Sequence, residues 1–340
     1  MELISEEIPA KMQVPAMRQL EVLTLKKVNE NGLIFGGMVP FVTPMRLGII
    51  LENISIEVKE SIKEVRGPRL GAPANAIDGF LKKNKIQRTD LQEKKTTKGS
   101  FYFYTLKINT QPLSTILSRI FTEIIQEFNW PKSMYWGDNY SLKWVRPLRS
   151  ITAVLFENEK RERVPLHVRD IESGIVTRAH HVMHPEFFDF KSINDYQEKI
   201  ANGKVILQPQ ERKKIIVEEG KRLAEANGFY LVEDNKLLEE IVGLTEFPIP
   251  LLGKIPEELL SIPEEVIVTS MREHQKFLSL RSSINGKVEG FLLITDLETH
   301  DQQKTILSGN MRVLNSRLKD AIFFYQNDLD LVKHHGMMFW

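Results

Sequence analysis

The chain has 340 residues, of which 42% are hydrophobic and 27% charged, with a formal net charge of +1 and no cysteine. These values are typical of a soluble globular protein of two or three domains, and they exclude disulfides, thiolate metal sites and a cysteine nucleophile. The apolar runs are too short to cross a bilayer, and the acidic residues Glu2, Glu6 and Glu7 are unlike a signal peptide. We therefore expect a cytoplasmic protein without membrane association, and any nucleic-acid binding must come from local basic patches.

Strands and helices are intermixed in the first half of the chain. A short strand at residues 2–4 precedes a helical pattern that begins near Pro9 and contains Pro15. Alternating side chains predict a strand within residues 42–58. After Pro112, apolar residues recur with helical spacing as far as Phe128, which predicts a core helix.

The second half contains a long charged helix, a hairpin and a final helix. Pro209 opens the long helix, which runs to Asn227 and ends at Gly228, and Pro263 opens another helix or turn. Asn285-Gly286 predicts a hairpin between residues 276–280 and 288–294. The final helix is predicted over residues 312–326.

This mixture without a regular βαβ order predicts an α+β fold, with mixed sheets, packed helices and more than one domain. The charged turn at residues 157–163 suggests the domain border. We predict an N-terminal α+β domain over 1–160, a second α+β domain over 161–333 and an atypical tail over 334–340.

One local basic patch lies beside a run of aromatic residues. Residues 82–98 hold seven basic side chains, among them Lys94, Lys95 and Lys98, against Asp90 and Glu93, and residues 101–104 are all aromatic. Such a combination can contact phosphates and stack on unpaired bases. The alternative is a solvated face of lysines beside a strand whose aromatic residues are core.

Two further stretches are rich in polar groups. Arg146 and Arg149 flank Pro147 and could clamp a phosphate or a carboxylate, or could pair with buried acids instead. The stretch Met271-Arg-Glu-His-Gln-Lys-Phe277 would need a ligand, RNA or internal partners if it were buried, whereas an exposed stretch would be merely solvated.

The common nucleotide-binding and hydrolase motifs are absent from the sequence. It has no phosphate-binding glycine loop, no Gly-x-Ser-x-Gly and no His-Glu-x-x-His. The best metal candidate is His180-His181-x-x-His184, which would suit a metal hydrolase, but Pro185 and the extended segment before it favour a structural histidine cluster. We predict no metal site and no catalytic residue.

Several motifs, in a shared order, resemble the N-terminal half of the β subunit of bacterial heterotetrameric glycyl-tRNA synthetase. The resemblance covers nearly the whole chain, from Glu2 to about Asp328. The motifs are Glu2-Leu-Ile-Ser-Glu-Glu-Ile-Pro9, Thr43-Pro-Met-Arg-Leu47, Arg66-Gly-Pro68, Met134-Tyr-Trp-Gly137, Val145-Arg-Pro147, Thr177-Arg-Ala-His180, Leu244-Thr-Glu-Phe-Pro248, Met271 through Phe277, Gly309-Asn310 and Arg317-Leu-Lys-Asp-Ala321.

The resemblance implies a subunit of an α2β2 ligase that joins glycine to tRNA(Gly). It places ATP, Mg²⁺ and adenylate formation on the α subunit, with no cofactor on this chain, and it gives the β subunit a role in binding and positioning tRNA. The isolated chain is then expected to be inactive. The family continues through a phosphohydrolase-like helical domain and an anticodon-binding domain, and we expect neither of them within these 340 residues.

The chain departs from the family pattern where arginines are expected. Met45, Tyr135 and His181 stand in places where the family usually has a guanidinium, and Phe247 replaces the common tryptophan. Met45, Tyr135 and His181 are not equivalent to arginine, and both ends of the sequence depart from the family pattern, so we expect a truncated, split or degenerate β subunit. The alternative function is a non-catalytic remnant that binds RNA or the partner subunit. The candidate residues for RNA or subunit contact are Arg146, Arg149, Arg178, His274, Lys276, Asn310, Arg317, Lys94, Lys95 and Lys98.

Overall fold

The computed structural model describes residues 1–56, 63–84, 86–96, 99–106, 111–136, 142–157 and 160–335. The helices are α1 Ala10–Glu30, α2 Ala74–Asn84, α3 Leu113–Glu127, α4 Ile193–Asn202, α5 Pro209–Ala226, α6 Asn235–Val242, α7 Glu264–Thr269 and α8 Lys304–His335. The strands are β1 Glu2–Ser5, β2 Leu33–Ile34, β3 Gly37–Val42, β4 Arg46–Glu52, β5 Ser55–Ile56, β6 Lys63–Arg69, β7 Leu91–Thr96, β8 Gly99–Leu106, β9 Met134–Trp136, β10 Leu142–Trp144, β11 Leu148–Thr152, β12 Val154–Glu157, β13 Lys160–Arg163, β14 His167–Val168, β15 Ile171–Gly174, β16 Val176–Arg178, β17 Phe187–Asp189, β18 Phe229–Leu231, β19 Ile249–Lys254, β20 Leu278–Ser282 and β21 Val288–Thr295.

A six-stranded sheet in the order β14-β15-β11-β1-β4-β3 organises the N-terminal part. β1 runs antiparallel to both of its neighbours, β4 and β11, and β15 pairs with β11 in parallel. Because β14 and β15 follow residue 160, backbone pairing continues across the predicted border. The division at 160 stays a prediction about domains.

The predicted alternation of side chains in β4 is confirmed, and the two faces of the strand pack into two different hydrophobic clusters. Leu47 and Ile49 face a cluster built with α1 and α3, whereas Ile50 faces a second cluster with α4. Both faces of this central strand are therefore covered, which is why it reads as an almost continuous apolar run. The predicted core helix after Pro112 is confirmed as α3, with its apolar positions from Ile116 to Ile125 buried.

A four-stranded antiparallel sheet, β18-β20-β21-β19, organises the C-terminal part. In β21, Leu292 packs toward α5 and α6, and Phe291 packs toward α7 and α8. The predicted helix from Pro209 and the hairpin at Asn285-Gly286 are confirmed, and Gly286 supplies a φ of +71°. α8 is longer than the predicted helix over residues 312–326. It begins earlier, ends later and reaches into the predicted tail.

β6, β8 and β7 form a separate three-stranded antiparallel sheet with α2 packed on one face. The Phe80 ring of α2 meets the Tyr104 ring of β8 edge-on, with 5.9 Å between centroids. Gly67 allows this approach, because a Cβ there would lie 2.8 Å from the Phe80 ring.

Arg212 and Gln13 join the two large parts of the molecule. Arg212 of α5 is completely buried and donates to the carbonyl of Val42 in β3 at 3.1 Å. Its remaining hydrogen bonds go to the carbonyls of Ile206 and Leu207, just before α5, and of Val242 at the end of α6. Gln13 of α1 donates to the carbonyl of Gly243 at 2.6 Å. A Cβ at Gly243 would lie 2.5 Å from the Cβ of Ala10, so the two parts pack closely at this seam.

The predicted α+β class is confirmed, with helices and several separate sheets mixed along the chain. None of the helices in the described ranges has the length and apolar character that a membrane crossing needs.

Candidate functional site

The most concentrated group of buried charges lies at the seam between the two large parts. Arg46 of β4 is 1% exposed and forms ion pairs with two carboxylates that are equally buried. Its Nη1 lies 3.0 Å from Glu2 of β1, and its Nε lies 3.0 Å from Glu246, which precedes β19. We call Arg46, Glu2 and Glu246 the Arg46 cluster.

Hydrogen bonds from several elements complete the Arg46 cluster. The guanidinium also donates to the backbone carbonyls of Arg178 and Ala179, at 3.0 and 2.9 Å. Thr43 donates its hydroxyl to Glu246 at 2.5 Å, and Tyr196 of α4 donates to Glu2 at 2.8 Å. Thr177 also donates to Glu2. The partners come from β1, from the turn before β4, from residues 177–179, from α4 and from the segment before β19, so the cluster forms only when these segments meet.

The charges of the cluster shift one another's pKa values. Burial opposes the charged form of Arg46, but Glu246 and Glu2 outweigh it and raise the pKa of Arg46. Burial alone would raise the pKa of Glu246, yet the charge of Arg46 and the bond from Thr43 lower it below its ordinary value. Burial and the nearby charge of Glu2 raise the pKa of Tyr196, which keeps this phenol a proton donor. Glu246 and Arg46 are thus fixed in their ionised forms.

His180 lies beside this cluster and is fully engaged. Its Nε2 lies 3.1 Å from the carboxylate of Asp296, and its Nδ1 accepts from the backbone N–H groups of Val182 and Met183. The other oxygen of Asp296 accepts from the backbone N–H groups of Glu246 and Phe247, both at 2.7 Å. His180 therefore donates from Nε2 and holds the segment around Glu246 in place.

The structure brings a possible set of metal ligands together, but it is not the trio of His180, His181 and His184 that was considered from the sequence. The groups that approach one another within 4.8 Å are His180, the exposed His181 and Glu246. The Oε2 atom of Glu246 is buried and has no hydrogen-bond partner among the described residues. However, both nitrogens of His180 are already in use, so it could ligate a metal only by giving up hydrogen bonds. The geometry favours the structural interpretation of this histidine cluster.

The role of Arg46 was not predicted from the sequence, although the sequence contains two signals of it. Arg46 begins a strand that is otherwise apolar, and Glu246 lies within a conspicuous motif before Pro248. A charge inside a buried strand requires a partner of opposite sign. Which acid would supply it, 200 residues away, cannot be inferred from local pattern.

Arg146 and Arg149 are both exposed, so neither pairs with a buried acid. Arg149 contacts the exposed carboxylate of Glu6, and Arg146 donates to the carbonyl of its neighbour Val145. Both guanidinium groups remain accessible to solvent and to a ligand.

The polar stretch after Met271 is anchored at its ends and open between them. Met271 and Phe277 are buried, whereas His274 is exposed. The stretch forms a π-helical turn, Ser270–Gln275, and Lys276 then adopts a left-handed φ of +57°. Lys276 pairs with Glu240 at 3.1 Å. Between its buried ends the stretch is thus partly exposed, and ion pairs hold its half-buried members.

The remaining candidates do not converge on one site. Arg178 lies in β16 beside the Arg46 cluster, and its guanidinium makes no ion pair or hydrogen bond with the residues that the structure describes. Asn310 and Arg317 lie on α8, where Asn310 bonds to the carbonyl of Ile306 and Arg317 is exposed. Lys94 and Lys95 lie on β7 of the small sheet, and Lys98 lies outside the described residues.

The family profile described as "Glycyl-tRNA synthetase beta subunit" matches residues 1–334. The glycine–tRNA ligase β subunit of Paracoccus denitrificans is 40% identical over 339 residues, which are 100% of this chain and 49% of that protein. The β subunit of Ruegeria is 40% identical over 98% of this chain and 48% of its own length, and that of Rickettsia conorii is 34% identical over 97% and 48%.

The chain thus spans about half the length of the curated relatives that it matches. The profile match includes every segment that contributes to the Arg46 cluster, from Glu2 to Asp296. On this evidence the chain belongs to the glycyl-tRNA synthetase β-subunit family.

Proposed function

We propose that the chain acts within the β subunit of a glycine–tRNA ligase, where it helps to bind and position tRNA(Gly). The single observation that carries the proposal is the family match over residues 1–334. In this proposal the α subunit binds ATP and Mg²⁺ and forms the adenylate, and the assembled α2β2 enzyme works in the cytoplasm.

The distribution of charge supports a binding role for this chain rather than a catalytic one. The charged groups of the Arg46 cluster are buried and are paired with one another and with partners from the same chain, apart from the Oε2 atom of Glu246. The cationic groups Arg146 and Arg317 are exposed and Arg178 is half-buried, and these arginines can contact phosphates or the α subunit. Contacts of this kind add affinity that weakens as salt is raised.

The direct experiment is to co-purify the chain with its cognate α subunit and to measure glycylation of tRNA(Gly). We expect complex formation and glycylation that requires both polypeptides. Arg146→Gln should weaken tRNA binding and reduce its dependence on salt by about one unit of slope. Arg222→Gln is the matched control, because Arg222 is exposed on α5 and pairs within its own helix with Glu219.

The second candidate is a non-catalytic remnant that binds RNA or the α subunit. The observation that favours it is the presence of Met45, Tyr135 and His181 at positions where the family resemblance leads us to expect arginine. Met45 and His181 are neighbours in sequence of Arg46 and His180, so two of these departures lie at the edge of the Arg46 cluster. Binding of α or tRNA without glycylation would support this candidate, and failure to bind either would exclude both.

A further inference from the structure

We propose that one face of the small sheet β6-β8-β7, the face opposite α2, is a stacking surface for unpaired nucleotides of RNA. The proposal builds on the proposed tRNA-binding function and assigns a binding surface and a class of RNA structure to it. The surface consists of Phe101 and Phe103 of β8, Arg66 and Arg69 of β6, and Gln92 and Lys94 of β7, and we call it the aromatic face.

The strand register separates the aromatic residues of β8 into two sets. Side chains alternate between the faces of a sheet, and Tyr104 packs against Phe80 of α2. Tyr102 therefore shares the face that α2 covers, and Phe101 and Phe103 belong to the opposite face. Phe101 and Phe103 are only half-buried.

Cationic and amide side chains flank the two phenylalanines in the register. Arg66 lies opposite Phe103, and its Cζ stands 3.5 Å from the centre of the Phe101 ring. On the other side, Lys94 lies opposite Phe101 and Gln92 lies opposite Phe103. The aromatic rings are thus bordered by hydrogen-bond donors on both neighbouring strands.

Arg69 extends the positive edge of this face. After the irregularity in β6 it lies opposite Phe101, and its guanidinium lies beside Gly99, where an added Cβ would be 3.1 Å from its nitrogens. Arg66 and Arg69 are both exposed. The exposed carboxylate of Glu93 belongs to the other face, since Glu93 lies opposite Tyr102.

This arrangement suits unpaired RNA better than duplex RNA or a protein partner. Every base has a π-face that can stack on a phenylalanine ring or on an arginine plane, whereas the bases of a duplex are already stacked. Residues 101 and 103 of the strand stand about 7 Å apart, and the Arg66 guanidinium lies over the Phe101 ring, so consecutive bases can stack on the Phe103 ring and on the plane of Arg66. The arginines and the lysine can meanwhile neutralise phosphates, which favours RNA over an uncharged peptide.

The test measures binding of the full chain to a fluorescent single-stranded oligouridylate of about eight nucleotides and to an RNA hairpin with a short loop. The principal variant is Phe101→Leu with Phe103→Leu, which removes both π-faces and keeps apolar volume. Arg66→Gln is the second variant, and since Arg66 is exposed it tests the surface even if the double variant fails to fold. The controls are Phe323→Leu and Arg222→Gln, which change an exposed phenylalanine and an exposed arginine on other elements.

We expect the double variant to weaken oligouridylate binding at least tenfold, with little change in the salt dependence. Arg66→Gln should weaken binding and lower the salt slope by about one. The controls should bind like the wild type. The proposal is overturned if the wild-type chain does not bind the oligouridylate at low salt, or if folded Phe101→Leu/Phe103→Leu and Arg66→Gln proteins bind it like the controls.

Failure of this inference can be distinguished from failure of the proposed function. If the wild type glycylates tRNA with α but the variants bind RNA normally, only the aromatic face is wrong. If the variants lose RNA binding but no complex with α glycylates tRNA, only the proposed function is wrong.

Discussion

Arg46 and Arg66 are the same side chain placed in two β-strands of one protein, and their surroundings are opposite. Arg46 is buried between Glu2 and Glu246, and every hydrogen bond of its guanidinium goes to a distant part of the chain. Arg66 is exposed and lies over the ring of Phe101 in a neighbouring strand. The first guanidinium is saturated by the fold, and the second keeps donors available for a ligand.

The difference shows how burial decides what an arginine does. A buried guanidinium without acids would be very unfavourable, so Arg46 constrains where the other segments must lie. An exposed guanidinium over an aromatic ring gains little stability, and its removal leaves no buried charge behind. Variants that make the same chemical change at the two sites should therefore separate stability from binding.

The largest effect is expected for Arg46→Met, which leaves two carboxylates buried without their cation. We expect a loss of about 3–5 kcal/mol in the free energy of unfolding, measured by urea denaturation followed by circular dichroism. Combining it with Glu2→Gln and Glu246→Gln should recover part of the loss, because the unpaired charges are then removed. An Arg46→Met protein as stable as the wild type would show that the Arg46 cluster does not hold its segments together.

Glu246→Gln should have a smaller effect with a characteristic pH dependence. We expect a loss of about 1.5–3 kcal/mol near neutral pH, because charge-assisted hydrogen bonds from Arg46 and Thr43 are weakened. The folded state lowers the pKa of Glu246 below its ordinary 4.5, so its contribution is complete above that pH and declines as the pH falls further. The stability difference between the two proteins should therefore shrink in acid, and a difference that grows in acid would contradict this sign.

Glu240→Gln tests an ion pair whose burial is intermediate between that of Arg46 and that of Arg66. Glu240 and Lys276 are each about one-third exposed or less and lie 3.1 Å apart. We expect a loss of about 0.2–1 kcal/mol that decreases in high salt, because the pair is partly screened by water. Urea denaturation at two salt concentrations provides the measurement. A loss as large as that of Arg46→Met would mean that burial does not set the contribution of these ion pairs to stability.

Arg66→Met should have the smallest effect on stability. We expect a change within about 0.5 kcal/mol in the free energy of unfolding, because Arg66 is exposed and its contact with the Phe101 ring contributes little to stability. The same protein should lose affinity for single-stranded RNA. If Arg66→Met destabilised the protein as much as Arg46→Met, Arg66 would be needed for folding, and the case for the aromatic face as a binding surface would be weakened.

Local patterns in the sequence predicted much of the secondary structure and little of the candidate site. α3, α5 and the hairpin at Asn285-Gly286 were predicted because apolar spacing, proline and glycine act within a few residues. α8 was predicted too short, because the ends of a helix depend on packing as well as on pattern. The Arg46 cluster was missed, because Arg46 and Glu246 are far apart in the chain.

By itself, the sequence determined the α+β class, the main helices and, through ordered motifs, the family. It also placed basic residues beside the aromatic residues of β8. Only the tertiary structure decided that Arg46 is enclosed by acids, that Arg146 and Arg149 are exposed, and that Phe101 faces away from α2 while Tyr104 packs beneath it. The physical reason is that burial is a property of contacts between distant segments, whereas periodicity and turn chemistry are properties of neighbours.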